Sequence, residues 1–128
     1  MQIKTIPEDF RVKELLNVNF EDKGKYTCFL LKKKNYNTID AIKKVADKLK
    51  INIRRISYAG LKDKKAITEQ YFSIDNFKKL NFKLEDIEVN FVGFLDKPIN
   101  LFCLDGNEFE IIVRNLDEEL KKIDFFEN

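Results

Sequence analysis

The stretch from residue 26 to residue 49, YTCFLLKKKNYNTIDAIKKVADKL, places an apolar segment directly before an amphipathic one. Its first seven residues are apolar on both faces, which is typical of a central strand that is covered on two sides. From Ile39 onward, apolar residues recur at helical spacing and lysines occupy the remaining face, with Asn37 or Thr38 available as the N-cap. The stretch therefore predicts a buried strand and a helix that packs on its sheet.

Period-two patterns on both sides of this stretch predict further strands. Residues 10–15 read as an edge strand that follows a turn at Pro7, and residues 53–59, 87–95 and 108–114 also alternate. A short helix at 75–80, capped by Asp75, and helical spacing over 116–123 predict two more helices. Strands outnumber helices, so we expect an α+β fold with a mainly antiparallel sheet and interspersed helices.

The size and composition are those of one ordinary domain over residues 1–128, with 44% hydrophobic and 36% charged residues. Apolar runs fall far short of the about 18 residues that a spanning helix needs, and no signal-peptide pattern opens the chain. We therefore expect a cytoplasmic protein without membrane contact. The two cysteines, Cys28 and Cys103, lie in apolar runs without CxxC spacing, which favours reduced thiols over a disulfide or a metal site.

The absence of histidine narrows the possible chemistry. A chain with no His cannot form a Ser-His-Asp triad, a Cys-His pair or the usual zinc hydrolase site. Any catalysis must then depend on carboxylates, lysines, hydroxyls or aromatic rings, and we expect no metal site.

Charge is distributed unevenly along the chain. Residues 1–70 hold 17 Lys and Arg against 9 Asp and Glu, whereas residues 71–128 hold 7 against 13. A basic first half is typical of a protein that binds a polyanion, and lysines 32–34 with Arg54 and Arg55 are candidates for RNA phosphate contacts. A solvated basic surface is the alternative.

The segment SYAGLKDKKAITEQYFSI, residues 57–74, contains a polar turn in which one carboxylate stands among three lysines. Asp63 is surrounded by Lys62, Lys64 and Lys65, and nearby positive charges favour the ionised carboxylate. Such a group could serve as a nucleophile or a base, or it could be an ordinary turn residue in a solvated charge cluster.

Three blocks of this sequence resemble the TruD family of tRNA pseudouridine synthases. The family signature GxKDxxAxTxQ is matched at every fixed place, by Gly60, Lys62, Asp63, Ala66, Thr68 and Gln70. The family opening, a lysine before a PEDF motif and a later acidic residue, is matched by Lys4, Pro7, Glu8, Asp9, Phe10 and Glu14. A third block is similar to the family's GNxF strand through Gly106, Asn107, Phe109 and Arg114.

The resemblance implies isomerisation of uridine to pseudouridine in tRNA, at the family's usual target, uridine 13 of the D arm, without an external cofactor. Asp63 takes the place of the catalytic aspartate, and Lys4 that of its basic partner. Phe10 matches the phenylalanine that contacts the substrate base, and Lys62 is a further candidate contact. Thr68 and Gln70 are expected to hold the loop rather than to touch uridine.

Family members continue beyond the point where this chain stops. Asn128 falls where the asparagine of their next motif would stand, and the stacking aromatic, the rest of the catalytic fold and an inserted domain are expected to be absent. The chain would then be the N-terminal part of the catalytic domain. Three interpretations remain: an enzyme acting on tRNA, a non-catalytic RNA-binding module, or a remnant that needs a partner chain and associates with itself through an exposed sheet edge.

Overall fold

The computed structural model describes residues 3–4, 10–62, 67–115 and 120–127, with side chains for 10–62 and 67–111. Its secondary structure consists of nine strands, one α-helix and two single-turn 3-10 helices, at Ile53–Arg55 and Leu101–Cys103. The helix α1 is Thr38–Leu49, and the strands are β1 (Ile3–Lys4), β2 (Phe10–Leu16), β3 (Tyr26–Lys34), β4 (Ile56–Tyr58), β5 (Ile67–Asp75), β6 (Phe82–Leu84), β7 (Ile87–Leu95), β8 (Leu104–Asn115) and β9 (Leu120–Glu127).

The strands form one sheet whose hydrogen-bonded neighbours follow the path β1-β8-β2-β5-β3-β7-β6. Strands β1 and β2 lie along the same side of β8 and β9 along its other side, and β4 lies beside β5. Within the described ranges, β2 and β5 run parallel to each other and every other pair is antiparallel. The expected α+β class with a mainly antiparallel sheet is therefore confirmed.

Strand β3 lies in the middle of the sheet, as its apolar sequence predicts, because both of its faces are covered. Phe29 and Leu31 face helix α1 in the larger core cluster, where the Phe29 and Phe72 rings stack at 5.3 Å. Cys28 points to the opposite face and packs with Leu95 and Ile99. Both cysteines of the chain are free, as expected.

Helix α1 begins and ends as its sequence indicates. Asn37 is the N-cap, and its side-chain oxygen accepts a hydrogen bond of 2.8 Å from the Asp40 N–H. Lys50 ends the helix in a left-handed conformation, with φ of 57°. At 12 residues α1 is too short to cross a membrane, and no other helix in the described part of the chain could do so.

Strand β2 is not the edge strand that its sequence suggests. It pairs along its whole length with β8, from Phe10 opposite Ile111 to Leu16 opposite Leu104, and on its other side with β5. The proline that suggested an edge, Pro7, lies outside the described residues. Long-range partners on both sides, which no local pattern reveals, decide the position of β2.

Three other local predictions were wrong. Within the predicted strand 53–59, the first three residues form a 3-10 turn capped by the Asn52 side chain. The predicted helix at 75–80 does not form, because Asn76 takes a left-handed φ of 50° and its N–H bonds the Lys25 carbonyl. The predicted C-terminal helix is replaced by β9, whose eight residues pair with Asn107–Arg114 of β8.

Candidate active site

The signature residues span the loop between β4 and β5 and the first half of β5. Residues 63–66, Asp63 among them, lie outside the described residues. Gly60 to Lys62 on one side and Ile67 onward on the other are described. The residues that flank Asp63 therefore define the described part of the site.

A buried chain of hydrogen bonds holds the start of this loop. The Gln70 side-chain Nε2 donates to the Gly60 carbonyl at 3.1 Å, and Thr38 Oγ1 donates to Gln70 Oε1 at 2.9 Å. Thr38 Oγ1 in turn accepts the backbone N–H of Lys62 at 2.8 Å. Thr38 and Gln70 are each 1% exposed. The predicted role of Gln70 in holding the loop is confirmed, and it is shared with the first residue of α1.

Thr68 does not take part in this network. It is fully buried on β5, and its Oγ1 has no hydrogen-bond partner. Among the described residues Thr68 therefore offers no hydrogen bond to the loop, and its expected role in holding the loop stays a prediction.

Lys62 is anchored at its side chain as well as at its backbone. Its Nζ lies 3.1 Å from Glu14 Oε2, and the side chains of Lys62 and Glu14 are 10% and 0% exposed. The contact is an ion pair without hydrogen-bond geometry, and no described group donates a hydrogen bond to Glu14 Oε2. The Lys62 ammonium thus points into the protein, and its expected contact with RNA stays a prediction.

Glu14 is a buried carboxylate on β2. Its Oε1 accepts the Tyr71 backbone N–H at 2.8 Å. Burial raises the pKa of Glu14 above its ordinary value of 4.5, and the Tyr71 hydrogen bond and the Lys62 ammonium oppose part of that rise. An ion pair so far from solvent is screened only weakly by salt.

Phe10 and the start of β5 lie at the same end of the sheet. Arg11 of β2 pairs with Ile67 of β5. Phe10 directly precedes Arg11 in the chain, and the signature loop directly precedes Ile67. Phe10 is 36% exposed. An aromatic side chain at this end of the sheet remains available to contact a ligand near the loop.

The backbone of Lys4 lies at the same side of β8 as Phe10. Lys4 pairs with Arg114 and Phe10 with Ile111, while β9 occupies the other side of both positions. Three residues along a strand span roughly 10 Å. The strand register thus brings Lys4, Phe10 and the entry of the loop into β5 to one region of the sheet.

The two predicted arginines differ in their surroundings. Arg54 is exposed. The Arg55 guanidinium donates from Nη2 to the carbonyls of Asp75 and Asn76, at 2.6 and 2.8 Å, and lies 5.8 Å from the centre of the Phe77 ring. Arg55 thus stabilises the end of β5, while the RNA contacts predicted for both arginines stay predictions. Asn128 lies outside the described residues.

Sequence reasoning considered Thr38 only as an N-cap, named Lys33 only as a candidate phosphate contact, and assigned no role to Glu14 beyond its match to the motif. Lys33 is 1% exposed and its Nζ donates to the Tyr36 carbonyl at 2.6 Å. The pattern that could have revealed the role of Glu14 is a charged residue at an inward position of a strand, between Val12 and Leu16. Within the described residues, no group of three or more His, Cys, Asp or Glu side chains could hold a metal ion.

Comparison with known proteins decides the family. A family model described as tRNA pseudouridine synthase D (TruD) matches residues 1–126. This chain belongs to the TruD family. The resemblance seen in the three sequence blocks is thereby confirmed.

TruD relatives match nearly all of this chain. It is 39% identical to the tRNA pseudouridine synthase D of Aquifex aeolicus, over 96% of this chain and 34% of that protein. It is 42% identical to the "Probable tRNA pseudouridine synthase D" of Pyrococcus furiosus, over 93% of this chain and 29% of that protein. The chain thus spans about a third of the length of these curated TruD relatives.

A crystal structure of a TruD protein from Methanosarcina mazei has the same fold. It superposes with a TM-score of 0.82 at 36% identity, over 92% of this chain and 28% of that one. The fold described above is therefore shared with the matching part of that TruD structure.

Proposed function

We propose that this chain forms the N-terminal part of the catalytic domain of a tRNA pseudouridine synthase, with Asp63 as the catalytic carboxylate. Membership of the TruD family supports the reaction. The assignment of Asp63 rests on the contacts that hold the residue before it. Lys62, directly before Asp63, is held by Thr38 and Glu14 in the protein interior.

The proposed reaction is an isomerisation. The bond between C1′ and N1 of uridine breaks, a bond between C1′ and C5 forms, C5 loses a proton and N1 gains one. No electrons are transferred, so the proposal includes no redox cofactor. A carboxylate can attack C1′, or it can remove a ribose proton to give a glycal-type intermediate. Both routes require Asp63 to be ionised.

Lys4 and Phe10 supply the other proposed contacts with the reacting nucleoside. An ammonium within about 4 to 6 Å of a carboxylate favours its ionised form, which is the role we propose for Lys4. The half-exposed ring of Phe10 would contact the uracil after the nucleotide leaves its stack, a step that costs a few kcal/mol. The strand register that brings these positions near the loop supports both roles.

The proposed partner is tRNA, with uridine 13 of the D arm as the target and the cytoplasm as the compartment. Arg54, which is exposed, would contact phosphates. Lys62 would reach RNA only by leaving Glu14, and Asn128 is proposed to lie near the base. Self-association through a sheet edge is a further proposal, which light scattering tests.

The test is pseudouridine formation on a tRNA transcript, detected by mass spectrometry of the digested RNA. We expect one pseudouridine per tRNA from the wild-type chain and a rate at least ~100-fold lower from Asp63→Ala. The matched control is Asp47→Asn, which removes an exposed carboxylate on α1. This variant should retain the wild-type rate. Equal turnover by Asp63→Ala and wild type would exclude the assignment of Asp63.

The excess of Lys and Arg over Asp and Glu in residues 1–70 favours a second candidate, an RNA-binding module that needs a further chain for turnover. This candidate predicts salt-dependent tRNA binding that survives Asp63→Ala, with no pseudouridine formed. Adding the remaining two-thirds of the Aquifex aeolicus relative as a separate chain should then restore product. Product from the chain alone would exclude this candidate.

A further inference from the structure

We propose that Glu14 is a positioning residue for Asp63, acting through the ammonium group of Lys62. The catalytic consequence of this inference rests on the proposed function. The structural part, that Glu14 fixes the residue directly before Asp63, stands on contacts within the described residues.

Glu14 lies at an interruption along one side of β5. Strand β2 pairs with Ile67–Glu69, and β4 pairs with Phe72–Ile74, on the side of β5 away from β3. Tyr71 lies between these two pairings, where no described strand offers a carbonyl oxygen to its N–H. The Glu14 carboxylate accepts this N–H at 2.8 Å and so continues the hydrogen bonding where the strands separate.

The second oxygen of Glu14 fixes the loop. Oε2 lies 3.1 Å from Lys62 Nζ, and the backbone N–H of the same lysine bonds Thr38 Oγ1 at 2.8 Å. Lys62 is thus held at two points, by residues of β2 and α1. Contacts inside the fold therefore fix Lys62, the residue to which Asp63 is bonded, and consecutive Cα atoms are only about 3.8 Å apart.

The choice of a charged pair for this site argues for positioning rather than for stability. Desolvation of two buried charges commonly cancels their attraction, and an apolar pair of similar volume is often as stable. Glu14 and Lys62 are 0% and 10% exposed at their side chains, so the pair lies in the buried setting where desolvation offsets its attraction. The effect that we propose for this pair is to hold its two partners in one arrangement.

The experiment compares Glu14→Gln, Lys62→Met and the double variant with wild type in the 128-residue chain. Glu85→Gln, which removes one exposed carboxylate in the turn between β6 and β7, is the matched control. Hydrogen exchange at the Lys62 amide, the single-turnover rate of pseudouridine formation and tRNA affinity are measured for each. Circular dichroism verifies that each variant is folded.

We expect the Lys62 amide in Glu14→Gln to exchange at least ~10-fold faster than in wild type, because the local opening becomes easier. The single-turnover rate should fall by about 100-fold, since a small misplacement of the reacting group has a large effect. Affinity for tRNA should change by less than ~3-fold, because the lost interaction acts in the chemical step. The double variant should match the more affected single variant rather than show the product of both effects.

Unchanged exchange at Lys62 in Glu14→Gln, or multiplicative effects in the double variant, would overturn the inference. If Glu14→Gln does not fold, the same three measurements on Lys62→Met test the inference. Amide exchange at Gly60 and Leu61 that is as slow in Lys62→Met as in wild type would then contradict it. If wild type and Asp63→Ala both form no pseudouridine, the proposed function fails. The exchange measurement then decides alone whether Glu14 fixes the loop.

Discussion

The Gln70 side chain donates a hydrogen bond of 3.1 Å to the carbonyl oxygen of Gly60. These two residues are the last and the first fixed positions of the eleven-residue signature. The first and last fixed positions of the signature are therefore joined by a hydrogen bond, and Asp63 lies between them in the sequence.

The hydrogen bond between Gln70 and Gly60 predicts a large effect of Gln70→Leu. The substitution removes the donor to the Gly60 carbonyl and the acceptor of the Thr38 O–H, so the free energy of unfolding should fall by about 2 to 3 kcal/mol. Urea denaturation measures it. Thr68→Val, two positions earlier on the same face, removes a hydroxyl that has no partner and should be neutral or slightly stabilising. Equal losses in both variants would contradict the network.

The hydroxyl of Thr38 predicts a difference between two substitutions at one position. Thr38→Val removes the donor to Gln70 Oε1 and the acceptor of the Lys62 N–H, and should cost about 2 kcal/mol of unfolding free energy. Thr38→Ser keeps the hydroxyl and should stay within about 1 kcal/mol of wild type. Thermal and denaturant unfolding compare them. Valine as stable as serine would show that the hydroxyl is dispensable.

The raised pKa of Glu14 predicts a specific pH dependence. The folded protein holds this proton at pH values where the unfolded chain has released it, so the stability linked to Glu14 is fully present below the ordinary pKa of 4.5 and is lost as pH rises through the raised pKa. Lys62, Tyr71 and Cys28 are the neighbouring groups that interact with Glu14.

Wild type should therefore lose stability relative to Glu14→Gln as pH rises from 4.5, with a slope of up to ~1.4 kcal/mol per pH unit inside this window. Urea denaturation of both proteins at a series of pH values gives the difference. Glu85→Gln, compared in the same way, should show no such slope in that direction. A difference that grows in favour of wild type as pH rises would reverse the sign and refute the assignment.

The different surroundings of Arg54 and Arg55 predict separate effects of the same substitution. Arg55→Gln loses charged hydrogen bonds to the Asp75 and Asn76 carbonyls and should lower the unfolding free energy by about 2 kcal/mol. Arg54→Gln should leave stability unchanged and reduce the salt dependence of tRNA binding by about one unit of slope. Denaturation and filter binding measure the two. If Arg54→Gln binds tRNA as wild type does, Arg54 is not a phosphate contact.

Predictions from the sequence succeeded where the evidence is local and regular. The apolar run of β3 and the capped, periodic α1 were both predicted close to their observed bounds. They failed where a distant strand overrides a local pattern. Helical spacing near Ile123 did not prevent that segment from pairing as β9 with β8, and Asp75 could not cap a helix because the next residue turns the chain with a left-handed φ.

The sequence by itself determined the family, the signature loop and the elements that depend on nearest neighbours, because capping and periodicity act over a few residues. Only the tertiary structure decided that β2 lies inside the sheet and that Glu14 meets Lys62. Those outcomes depend on contacts between segments far apart in the chain. A charged side chain on an otherwise apolar strand face does not reveal its partner until folding brings the two together and excludes water from between them.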